Sequence, residues 1–142
     1  MMKLQLIKGG SHTDHRGTLQ FVNDFDMTKI KRFYIITHND TTTRRGWRGH
    51  QIEQRWFYVI EGAFKIELVK IDDWTKPNPN LKIESYQLHS QNNEVLHVPA
   101  GYGTRIRAIS KNSKVMLFAD YGNEHAKLDD HLWPVDYFNN KQ

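Results

Sequence analysis

Eight histidines, at positions 12, 15, 38, 50, 89, 97, 125 and 131, and no cysteine bound the chemistry open to this chain of 142 residues. Without cysteine there is no thiol nucleophile, no disulfide and no thiolate metal ligand. A lone histidine is most often an ordinary surface or half-buried residue. His50 differs by its surroundings, Arg44-Arg45-Gly46-Trp47-Arg48-Gly49-His50-Gln51-Ile52-Glu53-Gln54. An imidazole beside several cations is held neutral near pH 7, and the neutral ring is the form a general base needs. Between positions 29 and 55 stand Lys29, Lys31, Arg32, Arg44, Arg45, Arg48 and Arg55, against only Asp40 and Glu53. Such a cluster is either a solvated basic face or a pocket for a small polyanion such as a phosphate ester. Extended RNA fits less well, since no long basic run or RNA-binding signature accompanies the patch.

The elements that must position these residues read as β-strands. Phe64, Ile66 and Leu68 alternate with Lys65 and Glu67, and after Leu68 the phase slips to Val69 and Ile71. That slip predicts a bulge. Trp56-Phe57-Tyr58-Val59-Ile60 is continuous and aromatic, as in a strand buried on both faces, and Glu61-Gly62 after it suggests a tight hairpin. Further strands are expected at Lys3–Ile7, Thr18–Val22, Arg32–Thr37, Lys82–Leu88, Glu94–Val98, Thr104–Ala108 and Val115–Ala119. Only Glu124–Leu132 offers a short helix. Many short strands without a helical period indicate an all-β sandwich or barrel, with residues 1–142 forming one domain.

Composition agrees. With 12% aromatic and 25% charged residues, the chain has bulk for a core and too many large side chains for disorder. No apolar run approaches the roughly 20 residues of a membrane helix, and the amino terminus lacks the apolar stretch of a signal peptide. A cytoplasmic protein without membrane or nucleic-acid partners is expected. The net charge of +4 is mild for a nucleic-acid binder.

A β-barrel with histidines on its strands suggests the cupin jelly roll. Metal-binding cupins resemble one another in a His-x-His motif followed by Glu and Gly, and a Pro-x-Gly motif followed by a third His. Here the first reads Arg48-Gly49-His50, then Glu53 and Gly62, and the second reads Pro99-Ala100-Gly101-Tyr102-Gly103-Thr104. Two of three imidazoles are missing, and arginine cannot deprotonate to bind a divalent ion, so neither a catalytic metal nor another cofactor is expected.

A more specific likeness lies in Asp14-His15-Arg16-Gly17, Ile30-Lys31-Arg32-Phe33-Tyr34, the Arg45–His50 block, Gly62, Pro99-Ala100-Gly101-Tyr102, Ala119-Asp120-Tyr121 and the tail Asp130–Phe138. In order and spacing these resemble the metal-free, RmlC-like and WxcM-like cupins acting on dTDP-4-keto-6-deoxyhexoses: the sugar 3,4-ketoisomerases and, more distantly, the 3,5-epimerases. The likeness runs from about residue 12 to 138. It implies a homodimer that takes a dTDP-linked sugar for surface-polysaccharide synthesis and moves a proton beside its ketone. The apolar strands 56–60 and 115–119 point to the same assembly, having more apolar edge than one small barrel hides.

The resemblance also assigns roles. His50 would be the base and Tyr34 a proton shuttle or oxyanion partner. Arg16 and Arg45 would hold the diphosphate, and Tyr102 would stack on base or sugar. Arg105 and Arg107, flanking Ile106, would face the barrel interior or a subunit interface. Trp47 and Trp56 are read as structural. The family pattern is Arg-Gly-x-His-x-His, and this chain has Arg48 at the first His. An arginine there can bind substrate, stabilise an enolate oxygen and hold His50 neutral, but it cannot be the base. Two readings follow: a metal-independent nucleotide-sugar isomerase or epimerase, or a catalytically impaired cupin that binds the nucleotide sugar without turning it over.

Overall fold

The computed structural model describes residues 3–139 and is built almost entirely of β-strands. In chain order they are β1 (Gln5–Lys8), β2 (Gly10–Asp14), β3 (Gly17–Phe21), β4 (Arg32–His38), β5 (Arg44–His50), β6 (Arg55–Glu61), β7 (Ala63–Lys70), β8 (Glu84–His89), β9 (Glu94–Val98), β10 (Tyr102–Ala108), β11 (Ser113–Ala119) and β12 (His131–Leu132). Two antiparallel five-stranded sheets, β1-β9-β6-β11-β4 and β12-β5-β10-β7-β8, face each other as the expected cupin jelly roll. A separate hairpin, β2–β3, stands apart from both. The segment expected as a short helix forms 3₁₀ turns over Asn123–Asp129 instead, and the chain then pairs with β5 through β12.

The inner faces interdigitate through Phe57, Val59, Leu96, Val98, Val115 and Leu117 from one sheet and Phe64, Ile66, Leu68, Leu88 and Ile106 from the other. Burying a side chain of this kind stabilises by about 1.5–3 kcal/mol. Both sheets are also covered outside. Trp56, Val95 and Phe118 pack under Phe25 and Ile30, and Trp47, Val69 and Phe138 pack with Trp74 and Trp133. Double coverage explains the continuous apolar runs and corrects two expectations. Leu68 and Val69 are both fully buried, on opposite faces of an unbroken strand, so no bulge interrupts the β7–β10 ladder. Strands β6 and β11 lie inside their sheet, so they offer no apolar edge. Among the exposed apolar side chains are Phe33 and Ile35 on edge strand β4 and Leu19 on β3.

Gly62 is likewise not a hairpin turn. It joins β6 of one sheet to β7 of the other at φ +74°, where a Cβ would run into the Ser113 hydroxyl. Bulges lie elsewhere, one on β6 at Ile60 opposite β11 and one on β5. Thr104 faces Arg48 and Arg105 faces Gly46, which leaves Trp47 as the extra residue. Gly46 takes φ +137° there, and a Cβ on it would meet the Thr104 carbonyl.

Candidate functional site

Side chains alternate along a strand, so residues three apart normally face opposite ways. The bulge at Trp47 resets that phase. Trp47 turns outward into the apolar layer over the sheet, while Arg45 and Arg48 both line an interior cavity of about 300 Å³. Tyr34, Arg55, Thr104, Leu132 and Trp133 complete much of its wall. Tyr34, Arg48 and Arg55 are shared with an adjoining chamber of about 270 Å³, lined also by Arg32, His50, Asn123 and Asp130.

His50 is buried in that second chamber, and its two nitrogens are differentiated. Nδ1 lies 2.8 Å from the Asp129 backbone oxygen. A carbonyl can only accept, so Nδ1 carries the proton and Nε2 keeps its lone pair. Nε2 has no hydrogen-bond partner among the described residues and stands 3.7 Å from Glu53 Oε2. Burial, and secondarily the Arg55 charge, pushes the imidazole pKa below its ordinary value. The expectation that Arg48 holds His50 neutral is thus corrected. Arg48 Nε lies 3.0 Å from Asp130 Oδ1, and burial and Arg55 do the work instead.

Glu53, 2% exposed, answers two cations. Its Oε1 accepts from Arg32 Nη2 at 3.0 Å and its Oε2 from Arg55 Nε at 2.6 Å. Ala119 of β11 pairs with Arg32 on one side and Arg55 on the other, and so small a side chain leaves room for both guanidinium groups. They lie 5.4 and 5.6 Å from the centroid of the Tyr34 ring. Burial raises the Tyr34 pKa, so its hydroxyl stays protonated. Arg45 has no carboxylate within ion-pair distance among the described residues. Arg32, Arg45, Arg48 and Arg55 stand against Glu53, Asp129 and Asp130, and the charge left unpaired among the described residues is that of Arg45, which suits an anionic ligand.

The structure therefore places Tyr34 and Arg48 in the walls of both chambers, with Arg45 in one and His50 in the other. The other expected site residues lie elsewhere. Arg16, in the β2–β3 turn, is mostly exposed and paired with Asp14 beside its own surface depression. Tyr102 lines a different cavity with Leu81 and Glu84. Arg105 does not face the interior: its guanidinium packs over Trp47 at 4.7 Å and grips Glu67 and the Val135 carbonyl. Arg107, two residues on, donates to the Thr41 carbonyl. Ile106 between them faces the inner core.

In the sequence Arg32 and Arg55 stand out only as members of the basic cluster, Glu53 only as part of a metal motif, and Asp129 and Asp130 have no site role. A signal existed for Arg55, a cation heading an otherwise apolar strand. Asp129 meets His50 from 79 positions away and left no local trace. Among the described residues no group of three His, Asp or Glu is arranged to hold a metal ion. Among the described residues no helix is long and apolar enough to cross a membrane.

A family model described as FdtA: WxcM-like, C-terminal matches residues 2–140. No curated protein matches this chain. Among solved structures, a dTDP sugar isomerase from Desulfovibrio desulfuricans is similar at TM-score 0.78 and 14% identity, over 98% of this chain and 93% of that one. The sugar 3,4-ketoisomerase QdtA from Thermoanaerobacterium thermosaccharolyticum, in complex with TDP, is similar at TM-score 0.70 and 21% identity, over 96% and 92%. A 3,4-ketoisomerase from Helicobacter canadensis is similar at TM-score 0.66 and 20% identity, over 87% and 89%.

Proposed function

The chain belongs to the WxcM-like, C-terminal (FdtA) family, and from that premise we propose that it is a nucleotide-sugar isomerase or epimerase acting on a dTDP-4-keto-6-deoxyhexose. The observation that carries this reading is the free Nε2 of His50 in a chamber lined by Arg32, Arg48, Arg55 and the Tyr34 ring.

A ketone acidifies the adjacent C–H. Nε2 of neutral His50 takes that proton, and the electron pair moves into an enediolate whose oxygen gathers negative charge. Arg48 and the Tyr34 hydroxyl border the same chamber and suit that charge, which appears only as the proton leaves. The imidazolium then faces the Glu53 carboxylate, which offsets its charge until the proton returns to carbon. Returned to the neighbouring carbon, while the hydroxyl proton passes from one enediol oxygen to the other, the proton moves the carbonyl; inversion of the centre instead needs a donor on the opposite face, a part the Tyr34 hydroxyl can take. The substrate supplies its own acidity, so the transfer asks for no cofactor. Arg45 suits one end of the diphosphate through charge-assisted hydrogen bonds.

With Arg48 in place of a second imidazole, chemistry is confined to one proton at one carbon. Ketoisomerase turnover is weak or absent. The Arg48–Asp130 pair also supports the second reading, a cupin that binds the nucleotide sugar without converting it. The protein acts in the cytoplasm, in deoxysugar and surface-polysaccharide synthesis, as a homodimer that covers Phe33 and Ile35 of β4. Incubation with dTDP-4-keto-6-deoxyglucose, followed by proton NMR, tests the reaction. A new carbonyl position or an inverted centre supports the enzyme, and unchanged but bound substrate supports the binding protein. Light scattering that gives a monomer at micromolar concentration would contradict the dimer.

A further inference from the structure

We infer that Asp129 is the positioning residue of the site: its two ends fix which nitrogen of His50 carries the proton and where Glu53 stands beside that ring. The inference rests on the proposed role of His50 as base, and it deepens that role.

Neutral imidazole has two tautomers, and only the one protonated on Nδ1 offers a base at Nε2. In this protein a single contact makes the choice, the Asp129 carbonyl 2.8 Å from Nδ1. What holds that carbonyl still is the same residue's side chain. Oδ1 accepts from the backbone N–H of Gln51 at 2.8 Å and Ile52 at 3.1 Å, and Oδ2 accepts from Glu53 N–H at 2.7 Å. Three successive amides thus wrap one carboxylate, a concave arrangement suited to an anion. The loop they belong to leaves β5 at His50 and carries Glu53, so the anchor also sets the 3.7 Å spacing between Glu53 and Nε2.

The rest of the 3₁₀ segment is weakly held. Asn123, Glu124, His125, Lys127 and Leu128 are exposed, Leu128 by 82%, whereas Asp129 is 1% exposed. The groups that face His50 are Tyr34 and Arg32 of β4, Arg48 of β5, Glu53, Arg55 of β6, and Asp129–Asp130. Of these, only Asp129 touches Nδ1.

The test uses the full chain with ¹⁵N-labelled histidine at pH 8, with His50→Asn assigning the His50 signals. In the parent protein His50 shows a protonated Nδ1 and an unprotonated Nε2. Asp129→Ala yields a mixture of tautomers. It also lowers kcat for proton exchange roughly 10²-fold, the lower bound of what a positioned base contributes, while KM stays near its parent value. Asp129→Asn keeps one acceptor oxygen and gives intermediate values; it serves as the reading if the alanine variant does not fold. A tautomer that stays on Nδ1–H in both variants, or an unchanged kcat in both, overturns the inference. If the parent protein exchanges no proton, the function proposed above fails, but the tautomer measurement still decides the role of Asp129.

Discussion

Arg45 and Arg48 stand three residues apart on one strand, yet both line the same cavity, because Trp47 bulges outward between them. Their surroundings differ. Arg48 is paired with Asp130 and borders the chamber that holds His50, while Arg45 has no carboxylate partner among the described residues. In the proposed reaction one would serve the reacting carbon and the other an anion.

That difference predicts separate effects on binding. Arg45→Ala should weaken dTDP affinity by about 1.5–3 kcal/mol, the usual worth of hydrogen bonds to a charged group. Arg107→Ala, whose side chain is engaged with the Thr41 carbonyl, should leave affinity unchanged. Calorimetry with dTDP reads both, and an unchanged affinity for Arg45→Ala would place that side chain outside the ligand site.

Restoring the imidazole that the family pattern carries should change catalysis. Arg48→His is expected to raise turnover of dTDP-4-keto-6-deoxyglucose, by up to the 10²–10⁴-fold that a positioned acid or base contributes. If turnover stays flat while the parent protein is already fast, Arg48 is no obstacle to ketoisomerisation.

Glu53 should matter for folding as well as for chemistry. Glu53→Gln leaves the guanidinium groups of Arg32 and Arg55 without their buried counter-charge. Losing one partner of a buried pair costs about 3–5 kcal/mol, so urea unfolding should shift to markedly lower concentration. A midpoint within error of the parent would mean that water replaces the carboxylate.

Stability should also fall on mild acidification. Burial pushes His38, His50 and His97 below the ordinary imidazole value of 6.5. The unfolded chain therefore takes up protons first as the pH drops, and stability rises with pH across that window. It is complete above about pH 6.5 and lost as pH falls from there toward the folded-state values. Melting temperatures at pH 8, 6.5 and 5 should show the loss. A His97→Phe variant, which retains a ring against Trp56, should show a smaller one. An equal drop in that variant would assign the loss to carboxylates.

The jelly roll was legible because β-strands leave period-two patterns, and the motif order added its identity. The path of individual strands was less so. The Leu68-Val69 doublet reads as a bulge, but the sheet is simply covered on both faces. The bulge that matters to the site is at Trp47, in a segment too rich in arginine and glycine to show any apolar period. Of the candidate site, the residues on one strand, Arg45, Arg48 and His50, could be named from the sequence. Alternation set Arg105 and Arg107 on the face opposite Ile106 but not which face is inside, and Arg105 proves to lie outside, over Trp47. Asp129 escaped notice altogether, since a carboxylate that caps distant backbone amides leaves no sequence pattern around itself.

If Nε2 of His50 removes a proton beside the sugar ketone, deuterium exchange will register it. The parent protein and His50→Asn are each incubated with dTDP-4-keto-6-deoxyglucose in deuterated water, and the sugar is read by NMR. Deuterium is expected at one carbon next to the carbonyl with the parent protein and none above background with the variant. No uptake with the parent protein, or equal uptake with His50→Asn, would rule His50 out as the base.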